Sequence, residues 1–183
     1  MAVILWVVIG IIAFFVLYII LTFNSLIMLR NRVENAWSQI DVQLKRRYDL
    51  IPNLVNTVKG YVKHEKSVLT ELTKMRSQLV SGSMTQKAKA SDAISNALKT
   101  LFAVSENYPK LQASENFQML QEELAGTESK IAFSRQFYND NVMTLNNKAQ
   151  QFPSSIIARM LNFQQKEFFK AEESEKKAVK VEF

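Results

Sequence analysis

The sequence has no cysteine, a single histidine, four glycines and three prolines in 183 residues. Without cysteine there are no disulfides, thiolate metal sites or thiol nucleophiles. His64 alone cannot build a site that needs two imidazoles, and the Glu-x-x-His pairs of di-iron bundles are missing, with Tyr61 standing where the Glu before His64 would be. Gly10, Gly60, Gly82 and Gly126 are far apart. A P-loop or a dinucleotide fingerprint needs clustered glycines to bring backbone N–H groups to a phosphate, so both are excluded. No metal or cofactor is expected. Charge is missing from one end of the chain. Residues 1–29 contain no Lys, Arg, Asp, Glu or His, so all 23 basic and all 17 acidic residues fall in residues 30–183.

What stands first is an apolar run. Residues 2–23, from Ala2 through Trp6 to Phe23, make a helix of about 33 Å, enough to cross the hydrocarbon core of a bilayer. A cleaved signal peptide needs a basic start, a shorter apolar stretch and a small-residue cleavage site. None is present, so the run predicts an uncleaved anchor over residues 1–29. Arg30, Arg32, Lys45, Arg46 and Arg47 follow it, and no basic side chain precedes it. The positive-inside rule then puts the C-terminal side in the cytoplasm and the N-terminus outside.

The remainder reads as helix. One heptad seam runs Val33, Ile40, Arg47, Leu54, Tyr61, Val68, Met75, and a second runs Trp37, Leu44, Ile51, Val58, Glu65, Leu72, Leu79. Only Arg47 and Glu65 interrupt them, the pattern of a long helix in a bundle or coiled coil. It predicts a rod of about 70 Å over residues 33–79, continuous with the anchor and kinked at Pro52. Ser83 and Gln86 fit a capping box for a second helix, and Tyr108-Pro109 ends it. Sevenfold spacing returns at Phe117, Leu124, Ile131, Tyr138, Leu145 and Phe152. After Pro153, a fourth helix carries Ile156, Ile157, Met160, Leu161, Phe163, Phe168 and Phe169. The expected fold is all-α: an anchor over 1–29, an antiparallel four-helix bundle over 30–176, and a tail over 177–183. The helices fall at about 30–80, 84–107, 114–150 and 154–175.

Four stretches carry a family resemblance: Leu29–Glu65 (LRNRVENAWSQIDVQLKRRYDLIPNLVNTVKGYVKHE), Tyr108–Val142 (YPKLQASENFQMLQEELAGTESKIAFSRQFYNDNV), FPSSIIA at 152–158, and the terminal VKVEF. Together they resemble the LemA family of bacterial membrane proteins. Departures are small: Gln112 replaces a usual Lys, and TLNNK lacks an aromatic. The resemblance implies one N-terminal anchor, a helical bundle and a bacterial inner-membrane location. It supplies no settled activity. It associates the family with membrane quality control beside a membrane metalloprotease, and one relative with magnetosome membrane formation.

Several polar groups are candidate sites. Asp41 to Asp49, with Arg46 and Arg47, is a dense polar stretch that reads as a solvated face with an Asp41–Lys45 pair, or as a surface for a partner or acidic headgroups, to which Arg30 and Arg32 add. Arg47 lies on the seam, so it needs a buried counter-ion, with Glu122, Glu123 and Glu128 as candidates. Tyr138, Asn139, Asp140, Asn146 and Asn147, with Asn116, form a polar cluster that reads as a register-fixing network or a groove. The fourth helix closes the bundle or lies in the membrane interface. Val181 and Phe183 in the tail are candidates for docking on a neighbouring chain. No nucleophile–base set and no nucleic-acid motif is present. The reading is a non-enzymatic scaffold that contacts the bilayer and self-assembles as a homo-oligomer; the alternative is an adaptor for a membrane protease.

Overall fold

The computed structural model describes residues 1–61 and 66–169. These form seven helices and no strand: α1 (Ala2–Lys59), α2 (Lys66–Arg76), α3 (Gln78–Ser81), α4 (Met84–Ser105), α5 (Pro109–Gln112), α6 (Glu115–Gln150) and α7 (Ser154–Met160). The fold is all-α, and α1 carries the apolar run without a break into the charged sequence, since nothing between Asn24 and Arg32 interrupts a helix. The chain divides into two compact units, Met1–Trp37 with Phe137–Phe168, and Ser38–Gln136 with Phe169–Phe183.

In the second unit, Pro52 sits inside α1. Proline has no N–H, so the carbonyl four residues back, that of Tyr48, loses its helical donor. Arg76 replaces it. Its Nε donates to the Tyr48 carbonyl at 2.8 Å, and its guanidinium stacks 3.7 Å from the centre of the Tyr48 ring. This contact corrects the expected rod. In one continuous helix residues 48 and 76 would be about 42 Å apart. Instead α1 ends at Lys59 in a turn, with the Tyr61 N–H on the Val58 carbonyl, and α2 lies back along it.

The seam did not reveal the reversal because both arms face one core: Ile40, Leu44, Leu54 and Val58 on α1 are buried, as are Leu69, Leu72 and Leu79 after the turn. Glu65 and His64 lie outside the described residues. Ala90, Ile94, Leu98 and Leu101 of α4 and Phe117, Leu124 and Ile131 of α6 complete that core.

The capping box forms as expected. The Gln86 N–H donates to Ser83 Oγ, and the Ser83 N–H donates to Gln86 Oε1 at 2.8 Å. Gly82 precedes it because a Cβ there would come within 2.6 Å of the Gln78 carbonyl oxygen. α6 begins one residue after Ser114 and ends at Gln150, where Phe152-Pro153 cannot continue a helix. Ser154 Oγ is shared between the carbonyls of Lys148 and Gln151, at 2.6 and 2.9 Å, which satisfies the end of α6.

In the first unit the expected fourth helix is cut short. α7 stops at Met160, and residues 163–169 form neither helix nor strand. The stop is a Schellman motif. Asn162 adopts φ 56°, its N–H bonds the Arg159 carbonyl at 3.1 Å, and the Phe163 N–H bonds the Ala158 carbonyl at 2.9 Å. Asparagine tolerates this left-handed conformation better than other non-glycine residues. Residues 170–175 lie outside the described residues.

Replacing Arg76 with Met removes the side-chain donor to the Tyr48 carbonyl, at a cost of about 1–3 kcal/mol. In a Pro52→Ala background the helix supplies its own N–H, and the same replacement should cost less. A denaturant double-mutant cycle on the detergent-extracted protein checks this; equal losses in both backgrounds would refute the role assigned to Arg76.

Candidate functional site

Among the described residues, Arg47 is the largest fully buried side chain, with no exposed surface. Its position on the α1 seam directs it into the core of the second unit. One terminal nitrogen donates to the Ser91 carbonyl at 2.9 Å and to Ser91 Oγ at 3.1 Å. The other donates to Ser95 Oγ at 3.2 Å and pairs with Glu128. Ser95 in turn donates to the second Glu128 oxygen at 2.6 Å. Of the three expected counter-ions, Glu128 fills the place; Glu123 pairs with Arg46, and Glu122 faces solvent.

A second ion pair belongs to the same unit. Arg135 binds buried Asp92 at 2.7 Å, and its guanidinium lies 4.7 Å from the centre of the Phe169 ring. Burial pushes the Arg47 guanidinium below its ordinary range, and the Glu128 carboxylate opposes that shift. Two cations and two carboxylates leave the cluster neutral. The Ser95 hydroxyl meets the Glu128 carboxylate, but that carboxylate is already paired with Arg47, and Arg47 Nε and Asp92 Oδ2 are buried without a hydrogen-bond partner. The cluster is a pin for three helices.

Asp92 and Arg135 had no seam to point to them. Asp92 is the one acidic residue of α4, beside two serines that touch Arg47, and that isolation was the available signal. The expected Asp41–Lys45 pair does not form. Lys45 turns forward to Asp49 at 2.6 Å, while Asp41 faces α4 and receives Lys87 at 2.6 Å.

The asparagine-rich stretch of α6 separates by burial. In the first unit, Tyr138 and Asn146 are buried, Asn139 is half-buried, and Asp140 and Asn147 are exposed; Asn116, in the second unit, is exposed too. Asn146 reads the backbone of this non-helical segment through both its donor and its acceptor. Its Nδ2 donates to the Lys166 carbonyl at 2.9 Å, and its Oδ1 accepts from the Lys166 N–H at 3.0 Å. Tyr138 Oη donates to the Glu167 carbonyl at 2.9 Å, and the ring meets Trp37 edge-on at 5.6 Å between centroids. The expected register-fixing network is therefore a clamp on a strap, residues 163–168.

Near the end of the apolar run, Arg30 pairs with Glu34 at 3.0 Å, and Arg32 is exposed beside Asn31 and Asn35. Helix α1 is long and apolar enough to cross a membrane, its most apolar stretch is unburied, and Trp6 is exposed. Val181 and Phe183 lie outside the described residues. Among the described residues no group of three His, Cys, Asp or Glu converges on a point that would hold a metal ion.

The LemA family profile matches residues 36–183. The chain is 27% identical to Protein LemA of Metamycoplasma hominis, over 89% of this chain and 80% of that protein. It is 22% identical to Magnetosome protein MamQ of Magnetospirillum gryphiswaldense, over 85% of this chain and 67% of the relative. The same figures hold for Magnetosome protein MamQ 2 of Paramagnetospirillum magneticum. None of these names states a reaction.

Two measurements test the geometry. Glu128→Leu strands Arg47 in the core and should cost about 3–5 kcal/mol. Arg47→Leu should cost less, because the Glu128 side chain is 29% exposed and can turn to water; equal losses would contradict the asymmetry. Tyr138→Phe should lose about 1 kcal/mol near neutral pH. Burial, and then the charge of Glu167, raise the Tyr138 pKa. An unfolded tyrosine ionises near pH 10 while the folded one keeps its proton, so its contribution is complete below about pH 10 and is lost above it. Unfolding curves of Tyr138→Phe should therefore be flatter than native above about pH 10.

Proposed function

We infer that this chain, which belongs to the LemA family, is a single-pass membrane protein whose helical body self-assembles into a non-enzymatic scaffold. The apolar start of α1 is the anchor, and the basic side chains after it favour a body on the cytoplasmic face of a bacterial inner membrane.

The observation that carries the reading is Phe133. It stands in the middle of α6 and is 76% exposed, on a helix that also exposes Met119, Phe137 and Met143, while Val42 is exposed on α1. Burying one such phenylalanine is worth about 1.5–3 kcal/mol, and exposed apolar surface of this kind marks an interaction site. A second copy is a fitting cover because charge is divided along the chain. Residues 30–80 carry 10 basic and 5 acidic side chains, and residues 111–150 carry 3 and 5. The basic part of one copy therefore complements the acidic part of another, which also steers association.

Light scattering of the detergent-extracted full-length protein tests the assembly. The native chain should have the mass of several copies, and Phe133→Glu should shift it towards one. A native monomer would sink the reading. Crosslinks in cells to a membrane protease in place of self-links would favour the adaptor alternative.

A further inference from the structure

The first unit contains two adjoining clefts that share one residue. The first is wholly apolar and is lined by Ile19, Ile20 and Phe23 of α1 and by Ile157, Met160 and Leu161 at the end of α7. The second is polar. It is lined by Leu161 again, with Arg30, Asn162 and Lys166 among its residues. The Schellman turn at Asn162 creates this junction, because it ends α7 at the apolar cleft and sends the strap past Arg30.

We propose that these clefts are one binding site for an anionic phospholipid of the surrounding membrane. An acyl chain lies in the apolar cleft, and the phosphate lies between Arg30 and Lys166. This rests on the reading of α1 as a membrane span.

Three observations identify the ligand. First, half of the apolar lining belongs to the uncharged run itself, so the cleft opens where acyl chains end. Second, Phe23 and Arg30 are seven residues apart on one helix, about 10 Å along its axis. That is comparable to the step from the hydrocarbon edge into the headgroup layer, which is roughly 5–8 Å thick on each side. Third, the charge suits a phosphate. Arg30 engages Glu34 through Nε alone, and Lys166 makes no ion pair among the described residues. The Lys166 backbone is held on both edges by Asn146, so its side chain starts from a fixed point.

The apolar residues around the site are turned outward. Met160 is 80% exposed, and Phe152 and Ile156 are exposed on the same stretch. A short amphipathic segment of this kind, with Arg159 beside it, seats its apolar side chains at the acyl boundary. The body would then meet the bilayer at a second place besides its anchor, and the strap would hold that place against α6.

The test uses the full-length protein in vesicles containing a phospholipid with a diazirine on its acyl chain, as phosphatidylglycerol or as phosphatidylcholine. Labelled residues are read by mass spectrometry. Labels are expected in residues 156–161 as well as in 2–23. Met160→Glu alters an exposed side chain, so the helical body should stay folded by circular dichroism. It should deplete labels from 156–161 and leave those in 2–23. Arg30→Gln and Lys166→Gln should each lower the preference for phosphatidylglycerol by about fivefold, the worth of one basic side chain near an anionic surface. Labels confined to 2–23 would overturn the site while the span reading stands. Equal labelling by both lipids in the native protein would overturn the assignment of an anionic headgroup. No labels in either region would overturn the span and the site together.

Discussion

A guanidinium with no exposed surface must have its charge and its donors answered from inside the protein, and the second unit is arranged around that demand. Arg47 comes from α1, its hydroxyl and carbonyl partners from α4, and its carboxylate from α6. Removing Glu128 leaves the guanidinium without water or a charged partner, which costs more than a missing apolar contact. The cluster therefore sets how three helices line up. Leucine seams alone do this poorly, because apolar contacts carry little directional information. The neighbouring Arg135–Asp92 pair adds a second fixed point on α4 and α6.

The same economy governs where helices stop and what fills the gaps. Pro52 frees a carbonyl inside α1, and a side chain from α2 takes it. Ser154 closes the end of α6, and Asn162 closes α7. Each device meets the rule that buried backbone groups find partners. Each also directs the chain that follows. Asn162 turns the chain into the strap, and Asn146 holds the strap by its backbone, which makes that contact indifferent to the side chain of residue 166. Lys166 is thereby left available for another task.

Function follows from what these devices leave uncommitted. The buried charges are occupied with one another. Among the described residues, groups exposed to other molecules include the apolar start of α1, Phe133 on α6, and the outward side chains of residues 152–161. Membership of the LemA family gives this arrangement a setting, and the relatives' names add no reaction to it.

Much of this was legible in the residues. The membrane-length helix, the all-α class, the capping box at Ser83, the inward position of Arg47 and the core heptads of α6 follow from period and composition, which depend on local geometry alone. Three features do not. A heptad seam has the same spacing whether the chain continues or turns back, so the reversal after Lys59 was invisible: both arms present apolar faces to one core. The stop at Met160 was carried by a single asparagine against a run of apolar residues that favours helix. The choice of Glu128 over Glu122 or Glu123 needed the rotation of α6, because neighbouring positions on a helix point 100° apart. The sequence by itself determined which segments are helical and which faces are apolar, since those rest on contacts between near neighbours. Only the tertiary structure decided which charge meets which, where the rod folds and what the asparagines hold, because each of those joins residues far apart in the chain.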